Sequence, residues 1–179
     1  MTEIRLKKIS NQELHTIWQV GFTQDMPEWA QYNGPYFEAY QSYPNFQTFL
    51  SSKDAAYLLN EEKVRAILLD NIPIGMVSRY WEDEKTLWLE IGVIIYDAKY
   101  WNKGIAYNAL IQWINQTFYD FPELEHIGLT TWSGNPGMMR LAEKLGMKQE
   151  ACIRKVRYWQ GVYYDSVKYG VLRQEWYKN

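Results

Sequence analysis

A single cysteine, Cys152, and two histidines, His15 and His126, are all the thiol and imidazole that the 179 residues offer. One thiol cannot close an internal disulfide, and one cysteine with two distant histidines cannot build a four-ligand zinc site. No metal is expected, and a reducing cytoplasm fits. Long hydrophobic runs are missing as well. Nothing approaches the ~20 apolar residues of a membrane span, and Met1 to Lys8 alternates charges with aliphatics where a signal peptide would be apolar. The expectation is an untargeted soluble protein with no membrane partner. A basic surplus is lacking too, since 19 Lys and Arg face 21 Asp and Glu for a net charge of −2. Recognition of a phosphate backbone normally leaves a basic stripe, so nucleic acid is not expected as a partner.

Aromatics, in contrast, are plentiful: nine Trp, fifteen Tyr and six Phe make up 17% of the chain. Such rings fill cores, line flat substrate clefts and form subunit contacts, and a homodimer is one use for the excess. The hydrophobic share of 47% and charged share of 22% are ordinary for a globular protein. The length suits one domain, 1–179, with a substantial core.

Periodicity orders the elements. Glu3 to Lys8 alternates like a short strand. Ser10 with Glu13 three residues on reads as a capping box opening a helix through Leu14, Ile17 and Trp18. Asp25 to Lys53, rich in Tyr, Pro and Gln, reads as a helix and loop covering something. Val64–Asp70, Ile74–Trp81 and Thr86–Ile95 form a strand meander, with turns at Asn71-Ile72-Pro73 and Glu82–Lys85. Gly104 to Phe118 is helical, with Ile105, Leu110, Ile111 and Ile114 on one stripe, and Phe121-Pro122 ends it. His126–Thr131 is a strand, and Met138–Leu145 a helix closed by Gly146. Lys148–Trp159 and Val162–Arg173 form a terminal hairpin around Gln160-Gly161. A meander followed by strand, helix and hairpin gives an α/β domain: a mixed, mostly antiparallel sheet flanked by helices.

One loop stands out. Tyr96 to Ala106 connects a strand to a helix with small residues at 104 and 106, Gly104 and Ala106. Such a loop can aim successive N–H groups at one point, where the helix dipole favours an anion and Lys103 adds a charge. On these residues alone it is either a phosphate cradle or an ordinary connection with a glycine for its turn, and it has neither the Rossmann nor the P-loop pattern.

The stretch Glu90-Ile91-Gly92-Val93-Ile94-Ile95, followed by Tyr100-Trp101-Asn102-Lys103-Gly104-Ile105-Ala106, resembles the central motif of the GNAT acetyltransferases. Trp101 is similar to the branch that contains ribosomal-protein N-terminal acetyltransferases. Asn135 followed by Glu143-Lys144-Leu145-Gly146-Met147 resembles that family's next motif, in the right order and spacing. The resemblance implies a GNAT-like fold with a splayed central strand pair, acetyl-CoA as cofactor, and a primary amine, small or at a protein N-terminus, as acceptor. It implies that the amides of Asn102, Lys103, Gly104, Ile105 and Ala106 bind the pyrophosphate, with Trp101 beside them. Val93 and Ile95 would pair with the pantetheine arm. The Ile94 amide would hold the thioester oxygen, a contact worth ~3 kcal/mol in comparable enzymes. Asn135 would bond the pantetheine, with Met139 packed next to it.

Direct transfer needs a neutral amine, and Glu90 is the candidate base; the alternative is a carboxylate paired with a neighbouring strand. Two positions depart from the family pattern. Ala142 stands where many members have a thiol-protonating tyrosine, and Met138 where the ribosomal branch often has a serine. Tyr164 and Tyr169 could substitute or merely pack. His15 and His126 carry no triad or metal pattern, and Cys152 reads as a buried structural thiol. Asp25, Glu28, Trp29, Tyr32 and Tyr36 could recognise a cationic acceptor. Two functions follow: an N-acetyltransferase, or a non-catalytic acyl-CoA sensing module that kept the cradle without the acid.

Overall fold

The computed structural model describes residues 3–178. Seven strands form one sheet in the order β1-β2-β3-β4-β5-β7-β6. They are β1 (Ile4–Lys7), β2 (Val64–Leu69), β3 (Ile72–Asp83), β4 (Trp88–Ile95), β5 (His126–Trp132), β6 (Lys148–Trp159) and β7 (Val162–Leu172). Every neighbouring pair is antiparallel except β4 and β5. The helices are α1 (Asn11–Gly21), α2 (Phe46–Leu50), α3 (Lys53–Leu58), α4 (Ile105–Asp120), α5 (Pro136–Lys144) and α6 (Arg173–Trp176). Among the described residues no helix is long and apolar enough to cross a membrane.

Strand alternation sorts the sheet into two faces with different fates. On the first, Leu89 and Ile91 of β4, Ile127 and Leu129 of β5, and Val167, Tyr169 and Val171 of β7 pack under α4, whose Ile105, Ala109, Leu110, Trp113, Ile114 and Phe118 are all buried. Arg79 pins this layer: its guanidinium lies 4.7 Å from the Trp113 ring and donates to Asp120 at 2.7 Å. On the second face, Leu14 and Ile17 of α1, Phe49 of α2, and Ala55 and Leu58 of α3 cover Val64, Ala66 and Leu68 of β2 and Met76 of β3. That core takes no residue from β5, β6 or β7, so beyond β4 the second face carries a separate set of residues, Gly128, Thr130 and Trp132 of β5 and Lys168 and Gly170 of β7.

The α1 entry follows its local code. The Glu13 carboxylate accepts the Ser10 N–H at 3.0 Å and the Lys7 ammonium at 2.6 Å. Burial alone would push the Glu13 carboxyl up, but the Lys7 and Ser10 hydrogen bonds outweigh it and hold the group down to about 2.

Four expectations change. The second turn of the meander falls at residues 84–87 and not at Glu82–Lys85, because Glu82 and Asp83 belong to β3 and β4 begins at Trp88. The turn after β2 is Asp70-Asn71, with φ of 49° and 70°, and Ile72 and Pro73 belong to β3. A two-residue hairpin turn of this kind needs positive φ at both positions, which Asp and Asn tolerate and proline's ring forbids. The Asp25–Lys53 segment is less of a loose cover than its composition suggests. Trp29, Tyr43 and Phe49 from it are buried in the second core, and the Trp29 indole donates to the Gly21 carbonyl at 2.8 Å. Cys152 is exposed rather than buried, because β6 is the sheet's edge and no layer covers it there.

Candidate active site

β4 and β5 meet only at Leu89↔Ile127 and Glu90↔Gly128, and beyond Glu90 they part. β4 stays in register with β3 through Gly75↔Ile95, and the only shift in that ladder falls between Trp81 and Asp83. Tyr96 donates to the Ile74 carbonyl at 3.0 Å. In an antiparallel ladder the bonded pairs recur every second residue, so Ile94, opposite Met76, also turns its N–H toward β3. Val93 and Ile95 turn theirs toward the gap that β5 has left. The thioester contact expected of the Ile94 amide is thereby corrected, since that N–H belongs to the β3 ladder. The amides of Val93 and Ile95 are the ones that face the opening. Trp101 closes the wide end of β4, its indole N–H donating to the Ile95 carbonyl at 2.9 Å.

The loop after β4 winds through a short 3-10 turn, Ala98–Tyr100, capped by the Asp97 carboxylate accepting the Lys99 N–H at 3.0 Å. Asn102 and Gly104 then take φ of 59° and 77°, with Lys103 between them outside that region. Alternation of left-handed and ordinary conformations turns consecutive N–H groups to one side, a backbone nest for an anion. The first bond inside α4 runs from Asn108 to the Gly104 carbonyl at 3.1 Å, so the Ile105, Ala106 and Tyr107 amides have no acceptor within the helix. A Cβ at Gly104 would meet nothing nearer than Asn108 Nδ2 at 3.9 Å. Open space, unspent amides, the positive end of α4 and the Lys103 ammonium, 5.9 Å from the Tyr100 ring, together fit a pyrophosphate.

Across the gap, Asn135 caps α5, its Oδ1 accepting the Met138 N–H at 3.0 Å. Its Nδ2 donates to the Tyr32 carbonyl at 3.4 Å, which also accepts the Trp132 indole N–H at 2.9 Å. The Tyr32 ring stands edge-on to Trp101, with centroids 5.6 Å apart. Tyr32 therefore straps the open end of the splay, tied to β5 and α5 by its carbonyl and to the β4 loop by its ring. Met139 packs half-buried against the first core. Of the residues expected to recognise a cation, Tyr32 and Tyr36 reach this mouth, Tyr36 meeting Trp132 at 5.3 Å, whereas Trp29 is committed to the core.

At the apex, on the second face, lies Glu90, only 1% exposed. Its Oε2 accepts the Tyr80 hydroxyl at 2.9 Å and its Oε1 the Lys168 ammonium at 2.9 Å. Lys168 also donates to Thr130 Oγ1 at 2.8 Å and stands 5.2 Å from the Trp88 ring centre. Burial first, then the neighbouring Glu90 charge, pushes the Tyr80 hydroxyl far above its ordinary range, so it stays a donor. Tyr80, Glu90, Gly128 and Gly170 form one row across the sheet. The glycines leave room along it: a Cβ at Gly128 would come within 3.1 Å of Glu90 Cγ, and one at Gly170 within 2.3 Å of His126 Nε2. His126 occupies that room in a pair with Glu150 at 2.9 Å.

Sequence reasoning named Glu90 as either a base or a carboxylate paired with a neighbouring strand; the structure pairs it with Tyr80 of β3 and Lys168 of β7, and Tyr80, Thr130, Lys168 and Trp88 were missed. Lys168 lies 78 residues from its partner, and only the strand order and register could have brought it there. Ala142 is fully buried in the first core, and Tyr169 is buried too, donating to Glu143 at 3.3 Å, so neither position presents an acid to the gap.

A strand that splays from its parallel neighbour, followed by a loop and helix start whose amides suit an anion, marks an α/β ligand-binding domain. The sequence matches the family description "Acetyltransferase (GNAT) domain" over residues 3–148, and the chain belongs to the GNAT acetyltransferases. It is 28% identical over 120 residues to the "SPbeta prophage-derived uncharacterized N-acetyltransferase YokL" of Bacillus subtilis (strain 168), covering 67% of each chain. It is 29% identical over 110 residues to "Putative ribosomal N-acetyltransferase YdaF" of the same strain, covering 62% of this chain and 59% of that one. A GNAT-family acetyltransferase structure from Bacillus anthracis shares the fold with a TM-score of 0.73 at 20% identity, over 98% of both chains. The chain is thus an acetyltransferase, and enzymes of this family take their acetyl group from acetyl-CoA.

Proposed function

We propose that this enzyme acetylates a primary amine, either a small molecule or a protein N-terminus, by direct attack on acetyl-CoA. The observation that carries this reading is the placement of a buried carboxylate, Glu90, at the apex of the same splay whose open edge presents the Val93 and Ile95 amides. Bound acetyl-CoA would supply a thioester as the activated acyl donor. The amides of Asn102, Lys103, Gly104, Ile105 and Ala106 would hold its pyrophosphate, and Val93 and Ile95 its pantetheine arm. Trp101 would fix the end of β4, while Asn135 and Met139 would line the far side. The Val93 or Ile95 N–H would be the donor available to a thioester oxygen bound at the gap.

Glu90, held by Tyr80 and Lys168, would draw through water the proton that the amine acceptor must lose before it can attack. At pKa ~10.4 an amine is neutral only about once in 2,500 at pH 7, so a proton acceptor at the apex matters. Tyr80 holds Glu90 in place and, staying protonated, cannot itself be that acceptor. The mouth formed by Tyr32, Tyr36, Trp132 and Tyr164 admits the acceptor from the second face. The test is thiol release from acetyl-CoA across a panel of small amines, amino acids and N-terminal peptides. Acceptor-dependent release with at least one of these is the expected result, and release indifferent to every amine would remove the proposal.

A further inference from the structure

The Lys168 ammonium occupies a site with the parts of a recognition pocket for ammonium. It has a carboxylate oxygen at 2.9 Å, a hydroxyl oxygen at 2.8 Å and an indole ring 5.2 Å away. A negative charge, a neutral acceptor and a π-face are the features by which proteins select alkylammonium groups. The pocket is rigidly built, because Glu90 Oε2 is locked by Tyr80 and the carboxylate side chain is 2% exposed. The Lys168 side chain is 27% exposed against 2% for Glu90, so the lysine lies on the solvent side of the pair. It reaches across β5 from β7 to the last β4–β5 pair, where the splay begins.

We propose that Lys168 sets the acceptor class of this enzyme: by filling the ammonium pocket made by Glu90, Thr130 and Trp88, it steers the site away from diamines and polyamines toward amines whose flanking groups are neutral or anionic. The inference rests on the amine-acetylating reading above. Its physical basis is charge. With Lys168 in place the Glu90 pair is neutral overall and attracts no further cation. A further ammonium beside this neutral pair gains no net attraction, whereas a lone carboxylate ~5 Å away at an effective dielectric of ~20 would favour it roughly a hundredfold. Without the lysine charge, the same pocket holds one uncompensated buried carboxylate and becomes a cation site.

The experiment compares two amines of equal length, cadaverine and n-hexylamine, which differ by an ammonium in place of a methyl group. Each is titrated calorimetrically into wild type, Lys168→Gln and Lys168→Arg, with coenzyme A present. Glutamine is chosen because it still donates to Glu90, whereas Lys168→Met would strand a buried oxygen. Wild type and Lys168→Arg are expected to bind cadaverine no more tightly than hexylamine. Lys168→Gln is expected to prefer cadaverine by at least ~10-fold. The double variant Glu90→Gln/Lys168→Gln should lose that preference. A wild type that already prefers cadaverine, a folded Lys168→Gln without the preference, or a double variant that keeps it would each overturn the proposal. Acetyl transfer to hexylamine is followed separately by thiol release. Failure of that assay with the binding preferences intact would count against the transferase reading and not against the pocket.

Discussion

The loop at Gly104 and the cluster at Glu90 sit at opposite ends of one strand and are built in opposite ways. The loop is made of backbone: its N–H groups are contributed by consecutive residues, their aim fixed by positive φ at Asn102 and Gly104, and the space before them is open. The cluster is made of side chains from four strands, β3, β4, β5 and β7, and every polar atom named in it is paired. Exposed loop amides can stay without a protein partner, because water hydrates them, and such a loop suits a large anion. A buried carboxylate cannot wait unpaired, since stranding it costs several kcal/mol, so the apex carries its own counter-ion.

The largest effect should come from breaking the cluster's chemistry while sparing its shape. Glu90→Gln keeps the Tyr80 and Lys168 neighbourhood but cannot accept a proton, and kcat should fall ~10²–10⁴-fold near pH 7. Cofactor affinity should be unchanged. Alkaline solution supplies neutral amine, so the defect should shrink as pH rises, and Tyr80, whose hydroxyl stays protonated, will not confound that recovery. Parallel kcat/KM profiles for wild type and variant, less than tenfold apart, would leave Glu90 with a structural role alone.

Breaking the loop should have the converse signature. Gly104→Val puts a β-branched residue at φ of 77° and fills the open space, so coenzyme A affinity should drop by ~10² or more. The chemistry at the apex is untouched, and kcat at saturating cofactor should fall much less than KM for acetyl-CoA rises. Equal affinity in a calorimetric titration would show that the nest does not hold the cofactor.

A third cluster sharpens the comparison, because it is made of side chains and yet is local. Glu13, held down to about 2, binds its proton more weakly in the folded state than at the ordinary 4.5. Its contribution is therefore complete above pH 4.5 and lost as pH falls toward 2, a few kcal/mol at most given that Lys7 is half exposed. Denaturant titrations should show Glu13→Gln flattening the acid limb of stability across that window while matching wild-type kinetics.

Asn135→Ala tests the junction between the two arms. Losing the cap of α5 should cost ~1 kcal/mol in thermal or denaturant unfolding, and losing the tie to Tyr32 should loosen the strap. Unchanged stability would mean that the Met138 N–H finds another partner. Smallest of all is Cys152→Ala. The thiol is exposed on the edge strand, where Sγ lies 3.7 Å from Asp165 Oδ2, and both activity and stability should stay near wild type. A trapped acetyl-cysteine or ping-pong kinetics would overturn direct transfer.

What could be read along the chain was whatever neighbours in sequence decide. The capping box at Ser10 and Glu13, the α4 stripe, the left-handed glycine closing α5 and the Gly104 loop each need only a few consecutive residues, and each appears where the residue pattern puts it. Even the misplaced first hairpin turn was a local matter, settled by which residues tolerate positive φ. Tertiary structure alone decided the rest. It put Lys168 on Glu90, exposed Cys152 at the edge, buried Trp29, and turned the Ile94 N–H to β3 instead of the gap. Each of these depends on which strand lies beside which and in what register, and a shift of one residue would reverse every side chain and every N–H along the strand.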